Sequence, residues 1–168
     1  MASLYYAWAY CRELKDLDIS GLKTQNVTSL DNTFTQCSKL KELDLRHFNV
    51  GKVTNLNSVF NTCRALRSVD LRGWNTAKVT SMSNMFTTCW NLIEIKGLED
   101  FITSSVTTFA SLFSNCWSIH KLNIENWDAS KVTTLYACFN ACYSLEELDL
   151  SHWNITKVTN LSSVFTAC

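Results

Sequence analysis

Proline is absent from this 168-residue sequence, and glycine occurs only four times. A chain with so few of the residues that make flexible linkers is expected to fold along its whole length, with no internal domain boundary. No stretch approaches the roughly 18 consecutive apolar residues of a membrane helix, so membrane insertion is not expected. Residues 1–20 also lack the charged start and apolar run of a secretory signal peptide.

An excess of charge is missing as well, because 15 lysines and arginines balance 15 aspartates and glutamates. A near-neutral chain without a basic run gives no electrostatic reason to bind nucleic acid. Four scattered glycines are too few for a phosphate-binding loop. His47, His120 and His152 have no serine or cysteine partner at a catalytic spacing. The sequence therefore predicts neither an enzyme nor a cofactor site.

What the sequence does contain is a repeat. Seven of its eight cysteines are separated by 26, 26, 26, 27, 26 and 26 residues. They are Cys11, Cys37, Cys63, Cys89, Cys116, Cys142 and Cys168. Alignment on them brings an aromatic residue three positions earlier into register in every unit, as in Phe34 and Phe60. The one extra residue lies in the stretch 95–100. Such a fixed period is typical of solenoids, whose units bury a core only when they stack.

Within each unit the apolar spacing changes from helix-like to strand-like. Leu30, Phe34 and Cys37 follow the i, i+4, i+7 spacing of one helix face, and Thr28 stands where an N-cap hydroxyl would. Residues 43–45, Leu-Asp-Leu, alternate as a short strand does. We therefore predict an α/β, leucine-rich-repeat-like solenoid with one short parallel strand and one short helix per 26-residue turn.

The predicted array covers residues 1–168 as a single unit of organisation, with six full repeats and a terminal half repeat. Solenoids normally end in polar capping repeats, and neither end of this sequence shows one. Two interpretations follow: the sequence is a section of a longer array, or its end faces associate between copies.

Two units carry a family resemblance over nearly their whole length. They are VTNLNSVFNTCRALRSVDLRGWNTAK, from Val53 to Lys78, and VTTLYACFNACYSLEELDLSHWNITK, from Val132 to Lys157. They resemble the BspA-like leucine-rich-repeat surface proteins, whose units read approximately VTxMxxMFxxCxxLxxLDLSxFNTSK. The resemblance implies a leucine-rich-repeat fold, a cell-surface or extracellular location, adhesion to host or matrix, and no catalytic site.

The cysteine column invites a disulfide or metal interpretation. If the cysteines lie at the ends of packed helices, they are roughly 8–10 Å apart, too far for disulfides. Cys138 and Cys142 could share one helix face, but no histidine repeats with them and structural zinc needs four ligands. We interpret the column as buried free thiols that act as small apolar side chains, and we predict no metal.

The outward positions of the strands are the candidate binding surface, which we call the strand face. Its charges form a largely acidic strip crossed by basic residues, suited to a cationic or mixed-charge protein. The thirteen candidate residues are Asp16, Asp18, Glu42, Asp44, Arg46, Asp70, Arg72, Glu94, Lys96, Lys121, Asn123, Glu147 and Asp149. The alternative interpretation is that these charges only keep an exposed sheet soluble and that the recurring aspartate serves a turn.

We predict a non-catalytic recognition or adhesion module, whose partner is another protein. The competing hypothesis is a structural solenoid whose copies stack end to end into oligomers or filaments. An ice-binding threonine rank is weaker, because each turn offers one threonine and that residue is expected to cap a helix.

Overall fold

The computed structural model describes residues 2–168, and they form a stack of coils. Coils 1 to 6 comprise residues 2–26, 27–52, 53–78, 79–105, 106–131 and 132–157, and residues 158–168 begin a further coil. Strands β1 (Glu42–Asp44), β2 (Ser68–Asp70) and β3 (Glu94–Lys96) belong to coils 2, 3 and 4. They form one parallel sheet in the order β1-β2-β3, with Leu43, Val69 and Ile95 in register.

The prediction of one helix and one strand per turn is wrong. Within residues 2–168 the only helix is the three-residue 3₁₀ helix Leu98–Asp100, and the only strands of more than one residue are β1, β2 and β3. In coils 5 and 6 the corresponding segments meet at a single bridge between Lys121 and Glu147. The chain is thus not an α/β solenoid.

The segment expected to be helical is a series of tight turns. In coil 2 the N–H groups of Thr33, Thr35 and Cys37 donate to carbonyls three residues earlier, at 3.1–3.2 Å. The intervening N–H groups donate instead to coil 3, at 2.8–3.0 Å. These second bonds run from Asn32 to Asn57, from Phe34 to Val59 and from Gln36 to Asn61. An α-helix would keep all of these bonds inside its own coil.

Left-handed residues make this alternation possible. Asn32 and Gln36 have φ values of 56° and 60°, and both positions repeat through the array. Between residues 2 and 168, fourteen residues other than glycine have positive φ, and all lie at these two positions. An α-helix requires φ near −63° at every residue. The apolar i, i+4, i+7 spacing fits the turns equally well, since the left-handed residue also returns every fourth position.

The threonine predicted to cap each helix joins neighbouring coils instead. The N–H and Oγ1 of Thr80 both donate to the carbonyl oxygen of Thr54, at 2.8 and 3.1 Å. Thr107, Thr133 and Thr159 repeat the arrangement with the threonine of the coil before. The residue type recurs because each coil needs the same link to its neighbour.

Aromatic side chains stack along the interior of the array. Phe60 lies between Phe34 and Phe86, with ring centroids 5.7 and 5.3 Å apart and ring planes within 12° of parallel. A second column contains Trp74, Phe101, Trp127 and Trp153 at 6.0–6.3 Å. Where this column holds tryptophan, the buried Nε1–H donates to a carbonyl 29 residues earlier, as from Trp74 to Leu45 at 2.9 Å. Each buried indole is therefore satisfied by the preceding coil.

The cysteine column forms a ladder of thiol hydrogen bonds. Cys63 Sγ donates to the carbonyl oxygen of Phe34 at 3.0 Å, and Cys89 Sγ donates to that of Phe60 at 3.1 Å. Each later column cysteine does the same with the aromatic residue 29 or 30 positions before it. Cys11 and Cys168 are exposed, and the other six cysteines are buried and unpaired.

The separation assumed for these cysteines needs correction. Because the coils are joined by backbone hydrogen bonds and not packed as helices, neighbouring coils lie about 4.8 Å apart rather than 8–10 Å. Distance therefore does not exclude disulfides here. The thiols instead donate hydrogen bonds to main-chain carbonyls. The cysteines are therefore polar partners of the backbone as well as small buried side chains.

Replacing Phe60 by alanine should leave a cavity inside the aromatic column. We expect Phe60→Ala to lower the free energy of unfolding by about 3–5 kcal/mol, as measured by urea denaturation. Phe165→Ala is the matched control, because Phe165 occupies the same column but is 51% exposed. An equal loss in both variants would contradict the assignment of the column as the core.

Thiol reactivity should follow position in the array. Burial raises the pKa of Cys37 and Cys142 to about 12, and burial also raises the pKa of Cys63, Cys89, Cys116 and Cys138. A pKa of about 12 leaves roughly a thousandfold less thiolate at pH 8 than an ordinary cysteine has. Iodoacetamide should therefore modify Cys11 and Cys168 first, as read by mass spectrometry. All eight cysteines should react in guanidinium, and rapid native modification of Cys89 would contradict the ladder.

Candidate functional site

The sheet places the central part of the strand face in two straight columns. Glu42 and Glu94 flank Ser68 in one column, and Asp44, Asp70 and Lys96 form the other. The side chains between them, such as Val69, point into the core. The residue alternation of each strand thus separates an interior that repeats from an outer surface that differs between coils.

Ion pairs fix the acidic residues at the end of the strands. Arg46 binds the carboxylate of Asp44 through Nε and Nη2, at 3.0 and 2.6 Å, and also lies 3.5 Å from Asp70. Arg72 binds Asp70 in the same way. Hydrogen bonds from the Arg46 side chain lower the pKa of Asp44 to about 2, and those from Arg72 lower the pKa of Asp70. Both aspartates therefore carry a full negative charge at neutral pH.

The remaining candidate residues lie outside the sheet. Lys121 and Glu147 pair at 3.3 Å across coils 5 and 6 and, with Asn123 and Asp149, line a cleft of about 350 Å³. A cleft of about 230 Å³ lies over β1 and β2 and reaches Leu17 of coil 1. Asp16 and Asp18 belong to coil 1, where the described residues form no strand. The strand face is therefore one charged surface divided into two parts.

Charge is unevenly distributed around each coil. The segments 22–37, 48–63, 74–89, 101–116, 127–142 and 153–168, each of which ends at a column cysteine, contain five lysines and two aspartates. That leaves ten basic and thirteen acidic residues for the rest of the chain. Four of these lysines, Lys52, Lys78, Lys131 and Lys157, share one exposed column. The zero net charge therefore conceals a side that is relatively basic and a strand face that is relatively acidic.

An exposed aromatic stack was not anticipated from the sequence. Trp90 and Trp117 stack with ring centroids 4.7 Å apart, Tyr143 lies 5.8 Å beyond, and the Arg64 guanidinium sits 4.3 Å above the Trp90 ring. The position after the cysteine is variable, since coils 1 to 3 have Arg12, Ser38 and Arg64 there. The change to aromatic residues at this position in coils 4 to 6 is the feature of the sequence that could have predicted the stack.

Neither a metal cluster nor a membrane span occurs in the described part of the chain. No three His, Cys, Asp or Glu side chains between residues 2 and 168 are grouped so that they could hold a metal ion. No helix within the same range has the length and apolar character that crossing a bilayer requires.

Comparison with known proteins gives one result. The family model described as "Mycoplasma protein of unknown function, DUF285" matches residues 2–94 and 88–168. The chain belongs to the DUF285 family. The two DUF285 matches overlap at residues 88–94 and together span all of the described coils. No curated protein and no solved structure matched the chain.

The candidate site lies within the residues that match DUF285. Both parts of the strand face, β1 to β3 and the cleft at Lys121 and Glu147, are inside the matched ranges.

Removing the Arg46 side chain should raise the pKa of Asp44. Its folded pKa of about 2 lies below the unfolded value of about 3.9, so the pair's stabilising contribution is present above pH 3.9 and is lost as the pH falls towards 2. In Arg46→Gln the pKa of Asp44 should move towards 3.9, as measured by NMR titration of the carboxyl carbon. Lys121→Gln should leave the pKa of Asp44 unchanged. An unchanged pKa of Asp44 in Arg46→Gln would refute the pairing.

Proposed function

We propose that this chain is a non-catalytic recognition module that binds a protein partner through the strand face. The observation that carries the proposal is the contrast between two sets of columns. Interior columns repeat nearly unchanged, as in Phe34, Phe60 and Phe86. One outer column, in contrast, holds negative, neutral and positive residues at Glu42, Ser68 and Lys121. A repeated residue answers a structural need, while variation among exposed positions is available for recognition.

The chemistry of the surface favours a protein of mixed or positive charge. Glu42 is exposed and forms no ion pair within residues 2–168, whereas Arg46 and Arg72 are each paired with an aspartate of the strands. A hydrogen-bonded sheet holds its charged side chains at fixed spacings. A partner with a complementary surface therefore binds without the entropy cost of ordering the backbone that carries those charges. Both clefts are shallow and lined largely by charged residues, which suits a protein surface better than a small apolar ligand.

The resemblance to BspA-like surface proteins supports adhesion as the biological role and the cell surface or extracellular space as the location. That support comes from the units at residues 53–78 and 132–157. End-to-end stacking of copies stays the competing prediction. Light scattering over a range of protein concentrations distinguishes the two, because stacking requires mass to grow with concentration.

Neutralising two acids of the strand face should weaken adhesion. We expect Glu42→Gln combined with Glu94→Gln to lower affinity for an immobilised matrix protein by about tenfold, because two negative charges that could face basic groups of the partner are lost. Binding to fibronectin, laminin and collagen would be measured by interferometry at two salt concentrations.

The matched control is Asp31→Asn combined with Asp128→Asn. It changes the net charge equally but lies in the segments that precede the cysteines. Equal losses in the two double variants would contradict recognition by the strand face. Failure to bind any protein of the panel would contradict the adhesive role.

A further inference from the structure

The strand-side ladder of hydrogen bonds is interrupted between coils 4 and 5. The carbonyl of Arg67 accepts from the N–H groups of Ile93 and Glu94, at 2.9 and 3.2 Å. The carbonyl of Lys41 accepts the same pair of bonds from coil 3, and the carbonyl of His120 accepts them from coil 6. Across residues 2–168, the equivalent bonds from His120 and Lys121 to the carbonyl of Ile93 are missing. The equivalent bonds are also missing between coils 1 and 2. Coil 4, however, is paired with coil 3, and coil 5 is paired with coil 6.

The interruption coincides with the one extra residue of the array. Gly97 has φ +93°, and a Cβ there would lie 2.7 Å from the backbone nitrogen of Arg72. Beyond it, Leu98 takes the place of Leu45, because its carbonyl accepts the indole N–H of Trp127 as that of Leu45 accepts from Trp74. Gly97 is therefore the inserted residue. Without it, residues 95–101 would match the regular sequence of residues 43–48 in spacing.

A cleft of about 270 Å³ opens at the interruption. One wall contains Ile93, Ile95 and Leu98, and the other contains His120 to Asn123. Three residues upstream of Ile93 and His120, Trp90 stacks on Trp117 at 4.7 Å, so the two coils are in contact at that point. The gap is thus confined to the strand side.

The chemistry of the cleft combines apolar side chains with unpaired backbone groups. Ile93 is 53% exposed, although the same position holds the charged residues Lys41 and Arg67 in coils 2 and 3. The carbonyl of Ile93 and the N–H groups of His120 and Lys121 form no backbone hydrogen bond across the gap in the described chain. Backbone donors and acceptors of a strand edge are best matched by the backbone of another extended chain.

We propose that this cleft, which we call the ladder gap, binds an extended peptide segment of a partner protein. The peptide pairs its backbone with the free groups of coils 4 and 5 and places an apolar side chain against Ile93 and Leu98. This inference rests on the proposed function in taking the partner to be a protein, and the ladder gap shares Glu94, Lys121 and Asn123 with the strand face.

The test uses the repeat's own strand as a probe. A fluorescein-labelled heptapeptide with the sequence of residues 40–46, LKELDLR, should bind with a saturable rise in anisotropy. The same peptide with proline at its central leucine should not bind, because it lacks the backbone donor. Amide exchange at His120 and Lys121 should slow when the first peptide is added.

Two variants locate the binding. Deletion of Gly97 restores the regular spacing and should lower peptide affinity by about tenfold or more, since the ladder then closes. Ile93→Lys gives the ladder gap the charge of coils 2 and 3 and should weaken binding in the same direction, which covers the case in which the deletion variant does not fold. Glu42→Gln is the control that alters the strand face but leaves the ladder gap intact.

Unchanged peptide affinity in the folded variants would overturn the proposal, as would the absence of binding to the unmodified protein. A dimer that disappears when Gly97 is deleted would show that a second copy occupies the edge, and would overturn it too. Peptide binding that depends on Gly97, without any matrix binding, would refute adhesion alone. Matrix binding that depends on Glu42 and Glu94, without peptide binding, would refute the peptide site alone.

Discussion

The architecture depends on a division of backbone hydrogen bonds between a coil and its neighbour. Along the turn segments, every second N–H closes a turn within its own coil, and the N–H between donates to the next coil. Left-handed residues such as Asn32 and Gln36 hold the chain in this conformation. Because one coil satisfies only part of its own backbone, a single repeat is incomplete and the stack becomes the smallest stable arrangement.

Side chains also link the coils, but they donate in the opposite direction, to the coil before. The thiol of Cys89, the indole of Trp74 and the hydroxyl of Thr80 each donate to a main-chain carbonyl of the preceding coil. Each of these carbonyls also accepts a backbone N–H, so the side-chain bond chiefly satisfies the buried thiol or indole that donates it, and an unpaired buried donor is costly. On the strand face, Asp44 and Asp70 accept the backbone N–H two residues further on, whereas Glu42 forms no such bond and its charge is free to differ between coils.

Sequence periodicity identified the interior but not its conformation. Each apolar column predicted from the repeat, such as that of Phe34 and Phe60, lies in the core because equivalent residues share equivalent surroundings. The helices were predicted wrongly because a turn series that returns every fourth residue buries the same positions as a helix face does. Its left-handed residues include Ser58 and Ala137, which carry no glycine signal. The strand-face columns followed from alternation, whereas the ladder gap depends on hydrogen bonds that a 27-residue spacing alone does not specify.

The thiol ladder has a consequence for where such a chain can fold. Small repeat proteins in oxidising surroundings commonly depend on covalent cross-links, while reducing surroundings would break these. Here the cysteines contribute as protonated hydrogen-bond donors, and their burial keeps them in that form. Neither an oxidant nor an isomerase is needed to complete the structure, so a reducing compartment places no restriction on its assembly.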